Sequence, residues 1–311
     1  MPTPVFEFDL NPSTNAPMQD LAWDPWTWEV FCGQFTGGTI YPPRQTAVLT
    51  RCAPPDDANR CNEISVMKLL DAGHGHMIGF QRRKSELWLW QNWTRWMPGG
   101  GRRFYLVRFR WRSRVAPYTW EDPPLDMQVM PTFHDDQTVV YAQLDPLGKY
   151  IAYRVGGGGY DRFELRTLGD VERGIDRVLD RAGPFPTTKD TAQAAGWADR
   201  YTVQGFATVG GRLWRYTGDG TGTNRYDPAA LTEYDWNSGG EVARHNEPKD
   251  IGYLGPGTRW EPEGLTIVRT APDQIRVLWG VARGPTGQSR VLDLQLRLST
   301  EDVLTGRNFR S

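Results

Sequence analysis

The sequence has little from which to build a metal centre or a disulfide framework. Its 311 residues include only three cysteines and four histidines, and the cysteine spacing matches no zinc pattern. Cys52 and Cys61 bracket a Pro/Asp/Asn-rich loop and read either as a local disulfide or as two ordinary thiols, with Cys32 left over. Charge of one sign is also missing. Lys plus Arg number 36 and Asp plus Glu 37, for a formal net charge of −1. Without a basic excess there is nothing to hold a phosphate backbone by counterion release, so nucleic acid is not an expected partner. No long apolar run occurs, which excludes a membrane-spanning helix. The N-terminal stretch Met1–Phe8 lacks a basic segment and an apolar core. The expectation is a protein that leaves the cell without a signal peptide, as a phage particle does at lysis, or one whose signal has been removed.

Helical periodicity is scarce too. Val171, Ile175, Val178 and Leu179 share a face and predict a helix over 170–181, weakened by Gly174. A second, weaker segment spans 189–199. Strand signals dominate instead. Val107 to Arg112 alternates apolar and basic, and Leu292, Leu294, Leu296 and Leu298 alternate with polar residues, as half-buried strands do. Thr138–Gln143 and Lys149–Val155 flank the turn Asp145-Pro146-Leu147-Gly148. Phe206–Thr208 and Arg212–Tyr216 flank a second tight turn. Gly156–Gly159 lacks the Lys-Ser/Thr of a phosphate loop and reads as a hairpin tip. No Gly-x-Ser-x-Gly is present, which argues against a serine hydrolase. Short strands with frequent Gly and Pro point to a sandwich, barrel or propeller.

What is abundant is tryptophan, 14 residues, about three times an ordinary share. Indoles fill strand cores and also form platforms for sugars. Trp88 and Trp90 alternate on one strand and read as core. Trp93 and Trp96 fall where that strand is expected to end and are candidates for exposed stacking. The stretch Trp23-Asp24-Pro25-Trp26-Thr27-Trp28 carries the same two readings.

Landmarks recur at intervals of about 50 to 70 residues: Asp24, His74, Asp135, Gln204 and Glu263. Each interval slightly exceeds a four-stranded blade of roughly 40–50 residues. At these landmarks the sequence resembles the propellers of receptor-binding tail proteins from phages of Gram-positive hosts. Helveticin J-type bacteriocins and proteins called teichoic acid biosynthesis protein C share that domain. The resemblance is carried by "DAGHGHMIGFQ" with "LWLWQNW", by "YTVQGFATVGGRLWRYTGDG", by "RWEPEGLTI" and by "VLWGVARGPTGQSRVLDLQL", in order over about residues 5–298. Departures are the second histidine, His76, and polar insertions at 51–62 and 218–228.

The resemblance implies an all-β, single five-bladed β-propeller of four-stranded antiparallel blades, with at most one or two short helices. Blades would start near residues 20, 74, 130, 202 and 261, the extreme N-terminal strand completing the last. It implies a non-catalytic phage-tail subunit, extracellular on the virion and displayed in several copies beside other tail proteins. Its target would be a Gram-positive surface glycopolymer, teichoic acid or another wall polysaccharide. The alternatives are a secreted bacteriocin-like or glycan-degrading enzyme on the same fold, and a purely structural virion part. The candidate ligand-binding residues are His74, His76, Gln204, Trp93, Trp96, Trp260, Glu261 and Glu263. The two glutamates sit two apart on an extended segment, roughly 6–7 Å apart at Cα on one side. Pro262 enforces that extension. Retaining glycosidases need carboxyls about 5–5.5 Å apart on opposite sides of the sugar, so bracing or binding suits this pair better than catalysis. His74 and His76 lack further ligands for a metal and suit a structural or sugar-contacting role. No cofactor is expected. Asp56-Asp57 and Asp135-Asp136 read as solvated loop charges more than as a calcium site.

Overall fold

A computed structural model describes residues 6–11, 18–24, 26–36, 46–72, 77–83, 85–97, 102–114, 116–134, 139–188, 203–218, 230–246, 260–271, 274–283 and 288–297. Nearly all of this is antiparallel strand. The first strand, β1 (Phe6–Asn11), does not pair with its successor in the chain. Next come β2 (Met18–Trp23), β3 (Val30–Thr36), β4 (Thr46–Cys52) and β5 (Arg60–Leu70). A second set is β6 (Met77–Arg83), β7 (Glu86–Trp96), β8 (Arg102–Arg110) and β9 (Gln128–Met130). A third is β10 (Val139–Leu144), β11 (Tyr150–Gly157), β12 (Tyr160–Thr167) and β13 (Asp180–Pro186), with α1 (Leu168–Arg173) before the last. A fourth is β14 (Val203–Val209), β15 (Arg212–Thr217), β16 (Ala230–Asp235) and β17 (Glu241–Asn246). The last three strands are β18 (Trp260–Ala271), β19 (Gln274–Arg283) and β20 (Gln288–Arg297).

The second, third and fourth sets are four-stranded meanders. The remaining strands form one eight-stranded sheet, ordered β18-β19-β20-β1-β5-β4-β3-β2. That sheet is two antiparallel four-strand groups joined by a short parallel seam, Asp9 to Asn11 of β1 against Arg60 to Asn62 of β5. β1 lies antiparallel to β20, Phe6 opposite Asp293 through Leu10 opposite Ser289. The first strands β2, β6, β10, β14 and β18 pack each on the next, and β18 returns to β2. Apolar clusters fill the spaces between consecutive sets. Phe31, Leu49, Met67, Leu89 and Trp93 separate the first from the second, and Trp90, Leu106, Ile151 and Tyr153 the second from the third. Phe163, Phe206 and Trp236 lie between the third and fourth, then Trp214, Trp279 and Ile267, then Leu10, Cys32 and Leu278 back to the first. The fold is an all-β propeller of four-stranded antiparallel blades with almost no helix.

Several expectations are corrected. The third set opens at Val139, not near 130, because Gln128–Met130 closes the second set against β8. The helix expected over 170–181 stops at Gly174, whose left-handed φ of 73° lets its N–H bond back to Val171 and ends the turn. Thr167 caps its start, accepting from the Asp170 N–H at 3.0 Å, and by Leu179 the chain is already pairing with Leu165. Residues 189–199, the weaker helix, lie outside the described residues. The strand around Val107 does not keep a fully wet face. Val107 and Phe109 are buried, but Arg108 is buried as well, under Glu172 of α1.

Cys52 and Cys61 are free thiols, so of the two readings the ordinary thiols hold and the possible bridge is absent. Hairpin register sets Cys52 opposite Glu63, while Cys61 faces Leu10 across the parallel seam. The Cys52 thiol instead hydrogen-bonds to the free thiol of Cys32, and this contact together with burial raises its pKa. Burial likewise pushes the Cys61 thiol up.

Candidate functional site

Four of the five first strands share a defect near their starts. Register shifts by one residue between Met18 and Asp20 in β2, Met77 and Gly79 in β6, Val203 and Gly205 in β14, and Glu263 and Leu265 in β18. The extra residues are therefore Gln19, Ile78, Gln204 and Gly264. A bulge bends its strand and frees local backbone groups. Buried polar side chains stand opposite, Gln34 in β3, Gln91 in β7 and Thr217 in β15.

This layer explains two glycines of the sequence motifs. A Cβ on Gly205 would stand 2.8 Å from the Leu265 nitrogen, and one on Gly264 would stand 2.7 Å from the Leu21 nitrogen. Only glycine lets β14, β18 and β2 meet at backbone contact, and Gly264 also needs its φ of 73°. Gln204 and Glu263 are thereby set on adjacent strands, each immediately before one of these glycines. Gln204 Nε2 donates to the Gly218 carbonyl at 3.0 Å, tying β14 to the end of β15.

Below this level Gln143 of β10 is buried, and its Nε2 donates to the Leu265 carbonyl at 3.4 Å. β10 and β18 are not neighbours in the ring, because β14 stands between them. The bond therefore links two first strands that are not neighbours in the ring.

Glu261 and Glu263 lie on β18 opposite Ala282 and Gly280, and Trp260 begins that strand. Their side chains, like that of Trp96, lie outside the described residues. His74 and His76 lie wholly outside them. Trp93 is corrected: it is buried, edge-on to Trp120 with centroids 5.7 Å apart. β7 runs on to Trp96, so Trp93 is mid-strand, on the face opposite Trp90, where the first set covers it. Among the described residues the indoles in the open are Trp26, 55% exposed, and Trp28, 41% exposed, in the β2–β3 turn. Asp24 lies at the finish of its strand, so it is not the counterpart of Gln204; Gln19 is. Sequence reading missed Gln19 and Gln143. Gln19-Asp20 resembles Gln204-Gly205 in position, but only cross-strand register reveals the match.

Elsewhere, two buried carboxylates have contrasting surroundings. Glu164 Oε2 accepts from Arg166 at 2.8 Å and contacts His134 Nε2 at 3.2 Å. Burial opposes its ionisation, but the bonds from His134 and Arg166 prevail and hold its pKa at about 2. Asp145 is pushed up to about 6 by burial, against the opposing bonds from the Tyr150 and Lys149 N–H groups. Asp56 accepts from the Ala58 and Arg60 N–H groups and so spends its carboxylate on its own turn. Among the described residues no group of His, Cys, Asp or Glu is arranged to hold a metal ion, and no helix is long and apolar enough to cross a membrane.

Residues 19–291 match the family model described as a phage 5-bladed beta propeller receptor binding platform domain. No curated protein sequence matches the chain. Among solved structures it is similar to the tail fiber of Staphylococcus aureus phage P68, with TM-score 0.70 and 17% identity over 97% of this chain and 54% of that one. The chain thus spans about half the length of that fibre protein, and at this identity the likeness is one of fold. The GDP-Man-dependent mannosyltransferase MPT-1 of Leishmania mexicana aligns over 94% of this chain and 89% of its own, at TM-score 0.48 and 10% identity. The GH43 protein BlXynB of Bacillus licheniformis aligns over 94% and 55%, at 0.45 and 10%; at such scores these two add nothing to the assignment. The family match covers every set of strands from β2 to β20, and the chain belongs to the phage β-propeller receptor-binding platform domains.

Proposed function

We propose that this propeller is a non-catalytic receptor-binding subunit of a phage tail, carried outside the cell on the virion, that recognises a Gram-positive surface glycopolymer such as teichoic acid or another wall polysaccharide. The observation that carries the reading is the family match over residues 19–291. We count five blades. The closed ring of first strands supports that count, the eight-stranded sheet being two blades stitched by the β1–β5 seam. The ligand meets the end where the first strands begin, at the bulge layer of Gln19, Gln204 and Gly264, with Trp260, Glu261 and Glu263 leading into that layer on β18; His74 and His76, outside the described residues, stay candidate contacts on the sequence motif alone. Carbohydrate sites combine aromatic faces with a few fixed polar groups, and a weak site gains avidity when several copies are displayed on one tail.

Binding without turnover fits the placement of Glu261 and Glu263 on one strand, two residues apart. Inverting and retaining glycosidases both flank the bond from two sides. No resident metal or other cofactor is part of the proposal, so chelation should leave binding unchanged.

The test is retention of the purified protein on Gram-positive cell walls, before and after removal of teichoic acid. Retention is expected, with loss on Glu263→Gln and Gln204→Ala in folded protein. Absence of retention on any wall preparation overturns the binding reading, and release of soluble fragments overturns the non-catalytic one.

A further inference from the structure

The β2–β3 turn lies at the opposite end of the propeller from the bulge layer, because β2 starts at Met18 and finishes at Trp23. It presents Trp26 and Trp28 to solvent, two residues apart. Exposed indoles ordinarily fold down onto a core. Here the turn is braced, and both stay about half exposed although Trp28 leans on Trp23 and Trp26 on Arg82. Asp24 is fully buried, and its carboxylate accepts from the Trp26 N–H at 3.0 Å, from Thr27 Oγ1 at 2.8 Å and from the Arg82 guanidinium of β6 at 2.5 Å. Its backbone carbonyl accepts from the Trp28 N–H at 2.9 Å, and its N–H donates to the Glu29 carbonyl at 2.9 Å. Trp28 is held at φ 61°, a conformation costly for a bulky side chain. Its ring stands edge-on to Trp23, centroids 5.7 Å apart. Glu29 in turn is paired through both oxygens with Arg51 and accepts from Thr27.

We propose that Trp26 and Trp28 form a second ligand site, a stacking platform for pyranose rings, separate from the bulge-layer site. A pyranose offers a flat C–H face and a rim of hydroxyls. The turn offers indole faces with polar groups set around them: Arg82, whose guanidinium carbon lies 5.8 Å from the Trp26 ring centroid, then Thr27, Glu29 and Arg51. Arg82 is neutralised by Asp24 and Arg51 by Glu29, so the turn has no spare charge to select an ionic partner. Preorganisation lowers the ordering cost that weak sugar sites can least sustain. The turn follows the last residue of β2 while the bulge layer lies near its first, so the two sites are at opposite ends of that strand. Leu147 and Ile175 are also exposed, but each stands singly on its own turn, which is ordinary for a protein surface.

The ligand class rests on the reading of the protein as a glycan binder, and the test separates the two. Fluorotryptophan NMR of the whole chain, with signals assigned through Trp26→Phe and Trp28→Phe, is recorded with methyl glucoside, methyl galactoside and methyl N-acetylglucosaminide, and with glycerol as an acyclic control. Both signals should shift with at least one pyranoside and not with glycerol. Retention on purified wall polymer should fall by about 2- to 12-fold for Trp26→Ala or Trp28→Ala, taking stacking at the scale of an aromatic pair, with Glu263 intact. Pyranoside shifts without retention on wall polymer would remove the proposed function and leave this site standing. Unshifted signals, or retention unchanged in both folded alanine variants, overturn the site. A change in self-association or tail assembly without any sugar effect also overturns it, in favour of a protein partner.

Discussion

At the scale of single residues, buried charge is where this protein is most exposed to substitution. Glu164 sits among Arg166, His134 and Arg162. Glu164→Gln leaves the buried Arg166 short of a carboxylate and should destabilise the fold by about 3–5 kcal/mol, read from denaturant midpoints at neutral pH. Glu164's folded pKa of about 2 lies below its ordinary 4.5. Its stabilisation is therefore present above about pH 4.5 and is lost as pH falls toward 2, where wild type and variant should converge. Asp145 runs the other way. Its value is raised from 3.8 to about 6, so the folded state holds a proton that the unfolded chain has released, and its share of stability falls as pH rises from about 4 to 6. Asp145→Asn keeps an oxygen for the Lys149 and Tyr150 N–H groups. It should remove that decline and be no less stable than wild type at pH 7, as a pH series of thermal melts would show. None of this is legible in the sequence. Arg166 and Glu164 are ordinary strand letters until packing covers them, and Trp93 passes for a surface residue when the end of its strand is placed too early.

At the scale of elements, hairpins are readable and bulges are not. The turn after Leu144 forms as expected, with Gly148 at φ 64° and its N–H on the Asp145 carbonyl, because Asp, Pro and Gly carry local conformational preferences. The expected helix is too long because apolar periodicity runs past Gly174. The repeated bulge depends on which residue faces which across two strands, and no single segment holds that information. Its glycines give the sharpest contrast. Gly264→Ala must move the β2 backbone and adopt a left-handed φ, and should cost on the order of 2–4 kcal/mol. Gly158→Ala has a similar φ of 62° but meets nothing within 4 Å, and should cost only about 1 kcal/mol. Denaturant unfolding of both variants checks the difference. Similar losses would mean that the close approach at Gly264 does not matter.

At the scale of the whole molecule, the ring closes through its N-terminal strand. β1 supplies the strand beside β20 and also the seam to β5. Removing residues 1–11 would leave two strand edges unpaired, and edges of that kind invite association. The melting temperature should fall by on the order of 10 °C, with aggregation by light scattering. An unchanged melt would mean that ring packing alone holds the first and last sets together.

The sequence by itself determined the strand-rich class, the hairpins, the family and the approximate rhythm of the blades, because alternation, turn chemistry and motif order are local properties of the chain. Only the tertiary structure decided which of the described tryptophans are core and which are open, that Cys52 hydrogen-bonds to Cys32 instead of bridging to Cys61, and that Gln19, Gln204 and Gly264 are the extra residues of matching bulges. Those outcomes depend on register and on contact between strands far apart in the chain, where a shift of one residue turns a side chain from the core to the solvent.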